Sequence, residues 1–516
     1  RKGGGGLGGG GGTFSKLLSL PPKNRFIAAD FALKKSGGGA QTPYPMAVVA
    51  EEGARLWHRL EGLASAFPLP KANFMCHIET LRTNHTARDA MSITLWAAVL
   101  RELAQPVLYP GVLAGYSFRL ERLEEGGYML AVSGYNDKLK PYLEALMQVI
   151  ATYHGGKASD FSEEEREAME SAFGKQKERL VLALRNKHFS DAYRQAYEYS
   201  RWLLEANAWT TAQAIAALEA LTISDFLSVG DPANQKARAE CLAHGNLDAA
   251  DARTLLSAVR AALPSAVLTA PQAQAMRAKV GQVPIGTWVS QLENENPEDG
   301  NSAIEVQMQG GSMYRDPEMD AVVTLLASAM REPAFDELRT KQQLGYAVFA
   351  FKRVILGAAA LSVIVQSPRA RVGEDGAVLL LDRVDAFLLD FATHLENLSQ
   401  AELEEYRQAA VSTLLKRPQD LSTLSEQYWA EITSKQFKFD RNAHTAALIS
   451  AVTHTALRGA FSSLVLDPRS ARRLTTLLSP PPAEWPAVLA PAHLLGKQQV
   501  SGWRGSLGYV HECGKQ

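Results

Sequence analysis

The chain has 516 residues, 46% of them hydrophobic and 21% charged, and its formal net charge is -1. This balance excludes disordered, collagen-like and fibrous proteins. Because there is no basic surplus and no apolar run of roughly 20 residues, we expect neither nucleic acid nor a membrane as a partner. Three scattered cysteines, Cys76, Cys241 and Cys513, offer no disulfide framework, which favours a soluble protein of a reducing compartment.

The start of the chain has an unusual composition. The first residue is Arg1, and residues 3–12 are almost all glycine, as is typical of a flexible linker. We therefore expect the chain to continue a longer polypeptide. A proline-punctuated arm follows from Leu20, so residues 1–46 are interpreted as a linker and an extended arm.

Two parts of the chain repeat one pattern. In each, a strand and an amphipathic helix lead to a Gly-Tyr pair and then to a strand pair with a glycine at its turn. Gly115 and Gly345 are 230 residues apart, and so are Gly127 and Gly357. A repeat this long is typical of duplicated domains rather than of a solenoid.

The repeat predicts the fold class and the division of the chain. Hairpins mixed with long helices indicate an α+β fold of two homologous domains, each a mostly antiparallel sheet with helices packed on one face. We place these domains at residues 47–285 and 286–516.

Several helix starts can be read directly from the residues. Asp316 followed by Pro317 is a strong N-terminal signal. Ser162 and Ser399 each precede a glutamate by three residues, the spacing of a capping box. We expect a long helix after each of the three.

The eleven histidines do not form a metal motif. Neither H-E-x-x-H nor H-x-x-E-H occurs, and His58 begins only half of the inverted form. Cys76-His77 lies on a predicted strand and is interpreted as packing, and His511 and Cys513 lie near the end of the chain. We therefore expect no zinc site in this chain.

Motifs for other chemistries are also missing from the sequence. There is no G-x-S-x-G elbow, no phosphate-binding loop and no dinucleotide fingerprint. His244-Gly245-Asn246 is interpreted as a strand-to-helix turn in which glycine and asparagine supply unusual backbone angles.

The segment at residues 332–349 carries the clearest candidate site. It predicts a short helix that begins at Pro333 and stops at Gly345, with Tyr346 opening a strand. Arg339 lies about two helical turns before that stop, so its side chain and Tyr346 can converge. A guanidinium and a phenol together can bind an anion or a carbonyl group. The alternative is that the arginine caps the helix and the tyrosine packs, and the residues alone favour it.

The same segment resembles a known family. Residues 338–346, Leu-Arg-Thr-Lys-Gln-Gln-Leu-Gly-Tyr, are similar to the signature in the C-terminal half of the insulin-degrading enzyme and nardilysin group, within the pitrilysin/insulinase family of zinc metallopeptidases. The resemblance extends from about Leu20 to about Arg473. Its further matches are at residues 20–27, 42–45, 69–71, 113–115, 134–138, 244–246, 365–367, 428–429 and 439–441.

The resemblance implies an architecture and two site residues. Members have four homologous α+β domains, joined as two halves around a chamber for peptides, and this chain corresponds to the third and fourth. The zinc and its H-x-x-E-H motif belong to the first domain, which this sequence lacks. An arginine and a tyrosine of the fourth domain complete the active site, and they match Arg339 and Tyr346. The arginine holds a substrate carbonyl, and the tyrosine contacts the oxygen that becomes negative.

The resemblance therefore implies a C-terminal half of a zinc-dependent endopeptidase. Its partners are an N-terminal catalytic half, in the same or a separate polypeptide, and peptide substrates. Zinc is then a cofactor of the full-length enzyme and is not bound by this chain, which we expect to be inactive alone. The alternative from a different class is a non-catalytic binding or scaffold subunit of the same superfamily.

Overall fold

The computed structural model describes residues 23–35, 42–63, 65–81, 86–153, 158–230, 236–264, 266–368, 376–481, 493–495 and 499–510. The glycine-rich start and the pair His511 and Cys513 lie outside these ranges.

The described strands are β1 (Met46–Glu51), β2 (Ala54–Leu60), β3 (Lys71–Thr80), β4 (Ser117–Arg122), β5 (Tyr128–Tyr135), β6 (Ala237–Gly245), β7 (Gly286–Glu293), β8 (Ser302–Ser312), β9 (Ala347–Ile355), β10 (Ala358–Ser367), β11 (Arg472–Ser479) and β12 (His493–Leu495). The α-helices are α1 (Ala87–Leu113), α2 (Asn136–Thr152), α3 (Glu163–Arg185), α4 (Ala192–Leu204), α5 (Thr211–Glu219), α6 (Ile223–Val229), α7 (Ala249–Ala261), α8 (Ala270–Ala275), α9 (Pro317–Ala334), α10 (Gly376–Glu396), α11 (Gln400–Leu414), α12 (Leu421–Thr433), α13 (Arg441–Ala451), α14 (His454–Phe461) and α15 (Val500–Ser506). Short 3₁₀ segments cover Ala158–Asp160 and Asn186–Phe189, and π-helical segments cover Phe335–Lys341 and Ser462–Leu466.

The strands form two six-stranded sheets in which five strands have the same order. The first sheet has the order β1-β2-β6-β3-β5-β4, and the second has the order β12-β7-β11-β8-β10-β9. In both sheets a parallel pair, β2 with β6 and β7 with β11, is followed by three antiparallel strands. The outermost strand differs, because β1 is antiparallel to β2 whereas β12 is parallel to β7. Gly127 and Gly357 lie at equivalent hairpins, and both have positive φ angles, of 69° and 85°.

The predicted helix starts are confirmed. The side chain of Asp316 accepts a hydrogen bond from the Met319 N–H, with Pro317 at the first helical position. Ser162 and Ser399 each form a complete capping box with the glutamate three residues later. These contacts satisfy backbone donors that a helix start otherwise leaves unpaired.

One face of each sheet packs against helices from the same part of the chain. Phe74, Cys76 and Ile78 on β3 point into a core with α1 and α2, where Trp96 is fully buried. Ile304, Val306 and Met308 on β8 do the same against α9 and α10. The expected α+β class, a mostly antiparallel sheet with helices on one face, is confirmed.

The opposite face of each sheet is covered by a helix from the other part of the chain. Helix α12 lies between β10 and β11 in sequence, yet its Tyr428, Trp429 and Ile432 pack on Met75 and Leu242 of the first sheet. Helix α4 lies between β5 and β6 in sequence, yet its alanines at 192 and 196 pack on Ala303 and Leu478 of the second sheet. Each helix therefore crosses from its own part of the chain to the sheet of the other part, and we call this arrangement the reciprocal crossing.

A buried polar cluster fixes α12 to the first sheet. The His244 imidazole lies between Ser425 Oγ, 2.7 Å from Nδ1, and Glu61 Oε1, 3.3 Å from Nε2. The Asn73 amide donates to the same Ser425 oxygen at 2.8 Å. Lys435, just after the helix, contacts Glu240 at 2.9 Å.

A second buried cluster fixes α4 to the second sheet. Arg353 on β9 forms a buried ion pair with Glu305 on β8, and its guanidinium donates to Ser200 Oγ at 2.7 Å and to the Tyr197 carbonyl at 2.8 Å. The Arg353 Cζ also lies 3.7 Å from the centroid of the Tyr197 ring. Since breaking a buried pair leaves an uncompensated charge, this cluster holds α4 in one position.

The structure also joins Cys76 and Cys241 in a disulfide between directly opposed residues of β3 and β6. The two residues are 165 positions apart, and their spacing in sequence gave no sign of the bridge.

Across the described ranges, no single helix combines the length and apolar composition needed to cross a membrane, although the bent pair α5 and α6 meets that test by length and composition alone.

The crossing of α12 generates a stability prediction. Trp429 is 5% exposed and packs on the first sheet, so Trp429→Ala should lower the free energy of unfolding by about 3–5 kcal/mol. Glu426→Ala is the matched control on the same helix, because Glu426 forms a surface ion pair with Arg119. This change should alter the free energy of unfolding by about 0–1 kcal/mol. Urea unfolding measures the free energy of unfolding of both variants. Equal losses in the two variants would show that the apolar face of α12 does not hold the helix on the first sheet.

The buried histidines generate a pH prediction. Burial lowers the pKa values of His244 and His77 below the ordinary 6.5, although Glu61 and Glu79 act in the opposite direction. Below pH 6.5 the unfolded chain therefore binds protons that the folded chain does not, and stability should fall by up to roughly 1.4 kcal/mol per pH unit per histidine.

Urea midpoints at pH 7.5 and 5.5 check this dependence. His244→Gln should reduce the loss on acidification, whereas the same change at the exposed His444 should leave it unaltered. A wild-type midpoint that is constant or higher at pH 5.5 contradicts the prediction.

Candidate functional site

The helix before the candidate site differs from the sequence prediction. The expected short helix starting at Pro333 is wrong, because Pro333 lies inside α9, which continues into the π-helical segment Phe335–Lys341. Proline lacks the N–H that continues the α-helical ladder, and the wider winding follows directly after it. The Gln342 N–H accordingly donates to the carbonyl of Glu337, five residues earlier, at 3.0 Å. Single π turns often occur at functional sites.

The end of the π segment sets the direction of Tyr346. Leu338 and Leu344 are buried, and the Leu344 N–H donates to the Leu338 carbonyl at 3.1 Å. A Cβ at Gly345 would lie 1.9 Å from the Gln366 carbonyl oxygen of β10, so only glycine allows this close approach. Tyr346 then leaves the core with 87% of its surface exposed.

The structure brings Arg339 and Tyr346 together. The Arg339 Cζ lies 5.8 Å from the centroid of the Tyr346 ring and 4.5 Å from that of Phe335, which are cation–π distances. Within the ranges that the structure describes, neither the guanidinium nor the phenol has a hydrogen-bond partner. The two groups therefore stand side by side with free donors, as a pair that binds a carbonyl oxygen or an anion requires.

Arg339 also lines a large cleft between α4 and the second sheet. The cleft has a volume of about 1330 Å³, enough for several residues of a peptide. Its aromatic lining includes Tyr193 and Tyr197 of α4 on one side and Phe335, Phe349 and Phe351 on the other. Because α4 comes from the first part of the chain, the reciprocal crossing builds one wall of this cleft.

The charges at the cleft are distributed unevenly. Arg331 and Arg339 line the α9 side, and neither has a carboxylate partner in the described part of the chain. The opposite side carries charges of both signs: Arg194 pairs with Asp191 at 3.2 Å, and Lys187, Glu198 and Glu295 also line the cleft. The α9 side therefore attracts carbonyl oxygens and carboxylates.

The described residues do not fit a catalytic zinc ion. Among them there is no group of three or more His, Cys, Asp or Glu side chains placed to hold a metal. His58 contacts the Leu247 carbonyl at 2.8 Å, and His77 contacts the Gly126 carbonyl at 2.6 Å, so both rings serve the fold. We therefore assign no step of zinc chemistry to these residues.

The turn at His244 agrees in part with its interpretation. Gly245 ends β6 with a φ of 119°, and Asp248 caps α7. Asn246 does not supply a positive φ; its side chain instead accepts a hydrogen bond from the Lys34 N–H at 2.8 Å and so holds the N-terminal arm. The sequence gave no signal for the contact of His244 with Ser425, which lies 181 residues away.

Comparisons with known proteins agree with this architecture. Residues 12–217 match the family model for the middle or third domain of peptidase M16. Residues 325–429 match domain 4 of the C-terminal lobe of PQQ synthase PqqF-like proteins.

Two relatives and one solved structure extend the likeness along the chain. Human insulin-degrading enzyme is 29% identical over 443 residues, which cover 84% of this chain and 40% of that protein. Nardilysin of Pongo abelii is 26% identical over 445 residues, 85% of this chain and 36% of the relative. The crystal structure of pitrilysin shares the fold, with a TM-score of 0.78 and 21% identity over 96% of this chain and 49% of that one.

The matched family model, the relatives and the shared fold all support a protein similar to the M16 peptidases, and within that class to the insulinase family. The chain spans less than half the length of the relatives that it matches.

Proposed function

We propose that this chain is the C-terminal half of a zinc-dependent endopeptidase that degrades peptides in an enclosed chamber. The observation that carries the proposal is the pairing of Arg339, which has no ionic partner among the described residues, with the 87% exposed Tyr346. A pair that served only to cap and pack would be buried or bonded to its own chain. This pair instead keeps its donors free beside a cleft of about 1330 Å³.

Each residue has a separate role in the proposal. The guanidinium of Arg339 offers a fork of N–H donors, which holds a backbone carbonyl of the bound peptide. The Tyr346 hydroxyl donates a hydrogen bond to the oxygen that gains negative charge as water attacks the scissile carbonyl. A single donor of this kind is worth about 3–4 kcal/mol in the transition state.

The zinc site is assigned to the other half of the enzyme. The described residues offer no ligand set, and the family's H-x-x-E-H motif is not in this sequence. We assign both to an N-terminal catalytic half, in the same or a separate polypeptide. Residues 47–285 and 286–516 would then be the third and fourth domains of the enzyme, and zinc, when bound in the other half, would activate the attacking water.

A non-catalytic binding or scaffold role is the second candidate. The observation that favours it is a solved structure described as the M16 inactive domain of Pseudomonas fluorescens, whose whole length matches 86% of this chain with a TM-score of 0.60 and 16% identity. The free donors of Arg339 and Tyr346 weigh against a purely structural role for the site.

Reconstitution separates the two candidates. The purified chain should not hydrolyse a quenched fluorescent peptide, whereas adding the N-terminal half of the full-length enzyme should give zinc-dependent hydrolysis. Cleavage by the chain alone would contradict the proposal. If the two halves elute together but remain inactive, the scaffold role is supported instead.

Variants of the reconstituted enzyme test the two residues. Tyr346→Phe should lower kcat by about 10²-fold with little change in KM, because the lost bond strengthens in the transition state. Arg339→Ala should mainly raise KM, by roughly ten-fold or more, because it holds the substrate in both ground and transition states.

Tyr109→Phe is the matched control, since Tyr109 is also exposed, at 54%, but lies at the end of α1. It should behave as wild type. An unchanged kcat for Tyr346→Phe would remove that residue from the mechanism, and wild-type kinetics for Arg339→Ala would reassign the arginine to helix packing.

A further inference from the structure

Strand β9 is an edge strand of the second sheet. It pairs with β10 along one side, and within the described ranges no strand pairs with its other side. An edge strand presents a row of backbone N–H and C=O groups that can pair with another extended segment. Beta-strand addition of this kind is a recurrent mode of peptide recognition.

The cleft reaches the backbone edge of β9. Its lining includes four consecutive residues of that strand, from Val348 to Phe351. Side chains of a strand alternate between the two faces, and here Val348 and Ala350 are buried in the core beneath α9 and α10, whereas Phe349 and Phe351 face α4. The cleft also covers the α4-facing surface of the sheet, where Ile364 and Leu478 line it, and its contact with Val348 and Ala350 extends it to the edge at β9.

Two aromatic pairs join α4 to β9 at the wall of the cleft. The Tyr193 and Phe349 rings lie 5.6 Å apart, and the Tyr197 and Phe351 rings lie 6.3 Å apart. Phe349 and Phe351 are two residues apart, so they meet alternate side chains of a neighbouring strand. An extended peptide with apolar side chains at alternate positions fits this arrangement.

The positive charge of Arg331, on the α9 side of the cleft, also favours an extended peptide as the ligand. Arg331 lines the cleft and is exposed, and it has no carboxylate partner in the part of the chain that the structure describes. A carboxylate on the peptide, from a side chain or a chain end, would supply that partner.

We infer that β9 is an acceptor strand for an extended peptide, which adds to its outer edge, places apolar side chains against Phe349 and Phe351, and brings a carboxylate to Arg331. That this peptide is a substrate rests on the proposed function. The binding itself requires neither zinc nor the N-terminal half.

The experiment uses the purified chain and fluorescence anisotropy. The probe is a labelled nonapeptide of alternating Phe and Thr with Asp at each end, and two further versions carry N-methyl groups on one or the other alternate set of amides. A peptide strand that adds to β9 uses only one of the two alternate sets of its amides for hydrogen bonds with β9. The version methylated on that set should bind about ten-fold more weakly, and the version methylated on the other set should bind nearly as well as the unmethylated peptide. Equal binding of the two methylated versions overturns the inference.

Variants locate the peptide on the strand. Phe349 and Val354 are both 44% exposed on β9, but only Phe349 lines the cleft. Phe349→Ala should weaken binding about ten-fold, and Val354→Ala should not. Arg331→Gln should weaken binding of the Asp-ended peptide and leave an Asn-ended peptide unaffected. Equal losses in both alanine variants overturn the placement, and thermal unfolding verifies that each variant is folded.

The outcomes for binding and for catalysis are separable. If the reconstituted enzyme hydrolyses peptides while the chain fails to discriminate between the methylated probes, the acceptor strand is wrong and the proposed function stands. If the probes bind as expected but reconstitution yields no hydrolysis, the proposed function is wrong and the acceptor strand stands.

Discussion

The rest of the structure depends on the reciprocal crossing of α4 and α12. Each sheet packs its main core against helices of its own part of the chain on one face, and its second face carries further apolar residues, such as Met75 and Leu242, or Ala303 and Leu478. A helix from the other part covers that face in each case. Burial of this apolar surface is the main force that joins the two parts, and buried polar clusters at Ser425 and Arg353 fix the position of each helix.

The crossing also explains where the candidate site lies. Helix α4 supplies Tyr193 and Tyr197, while the second sheet and the end of α9 supply Phe349 and Arg339. Neither part of the chain forms the cleft alone. The π-helical segment after Pro333 and the close approach at Gly345 then present Tyr346 to the outside, beside an arginine that lines the cleft. Packing of the two parts thus creates the surface on which the proposed chemistry rests.

The features that could be predicted from the sequence are those with local signals or a regular repeat. The caps at Asp316 and Ser399 depend on residues three positions apart, and the 230-residue spacing of the glycines indicated the repeat, so the helix starts and the fold class could be predicted. Contacts between residues distant in sequence, and the change from α- to π-helical backbone, could not be predicted. The winding after Pro333, the bridge between Cys76 and Cys241, and the cluster around His244 join groups through the folded chain. Spacing placed Arg339 close enough to meet Tyr346, but it gave no sign of the cleft that α4 completes.

Differential scanning calorimetry can show whether the two crossed helices make the two parts of the chain one cooperative body. We expect a single unfolding transition for the whole chain, with a calorimetric enthalpy equal to the van't Hoff enthalpy. Two separate transitions, each with the enthalpy of about half the chain, would show that the parts fold independently and would contradict this expectation.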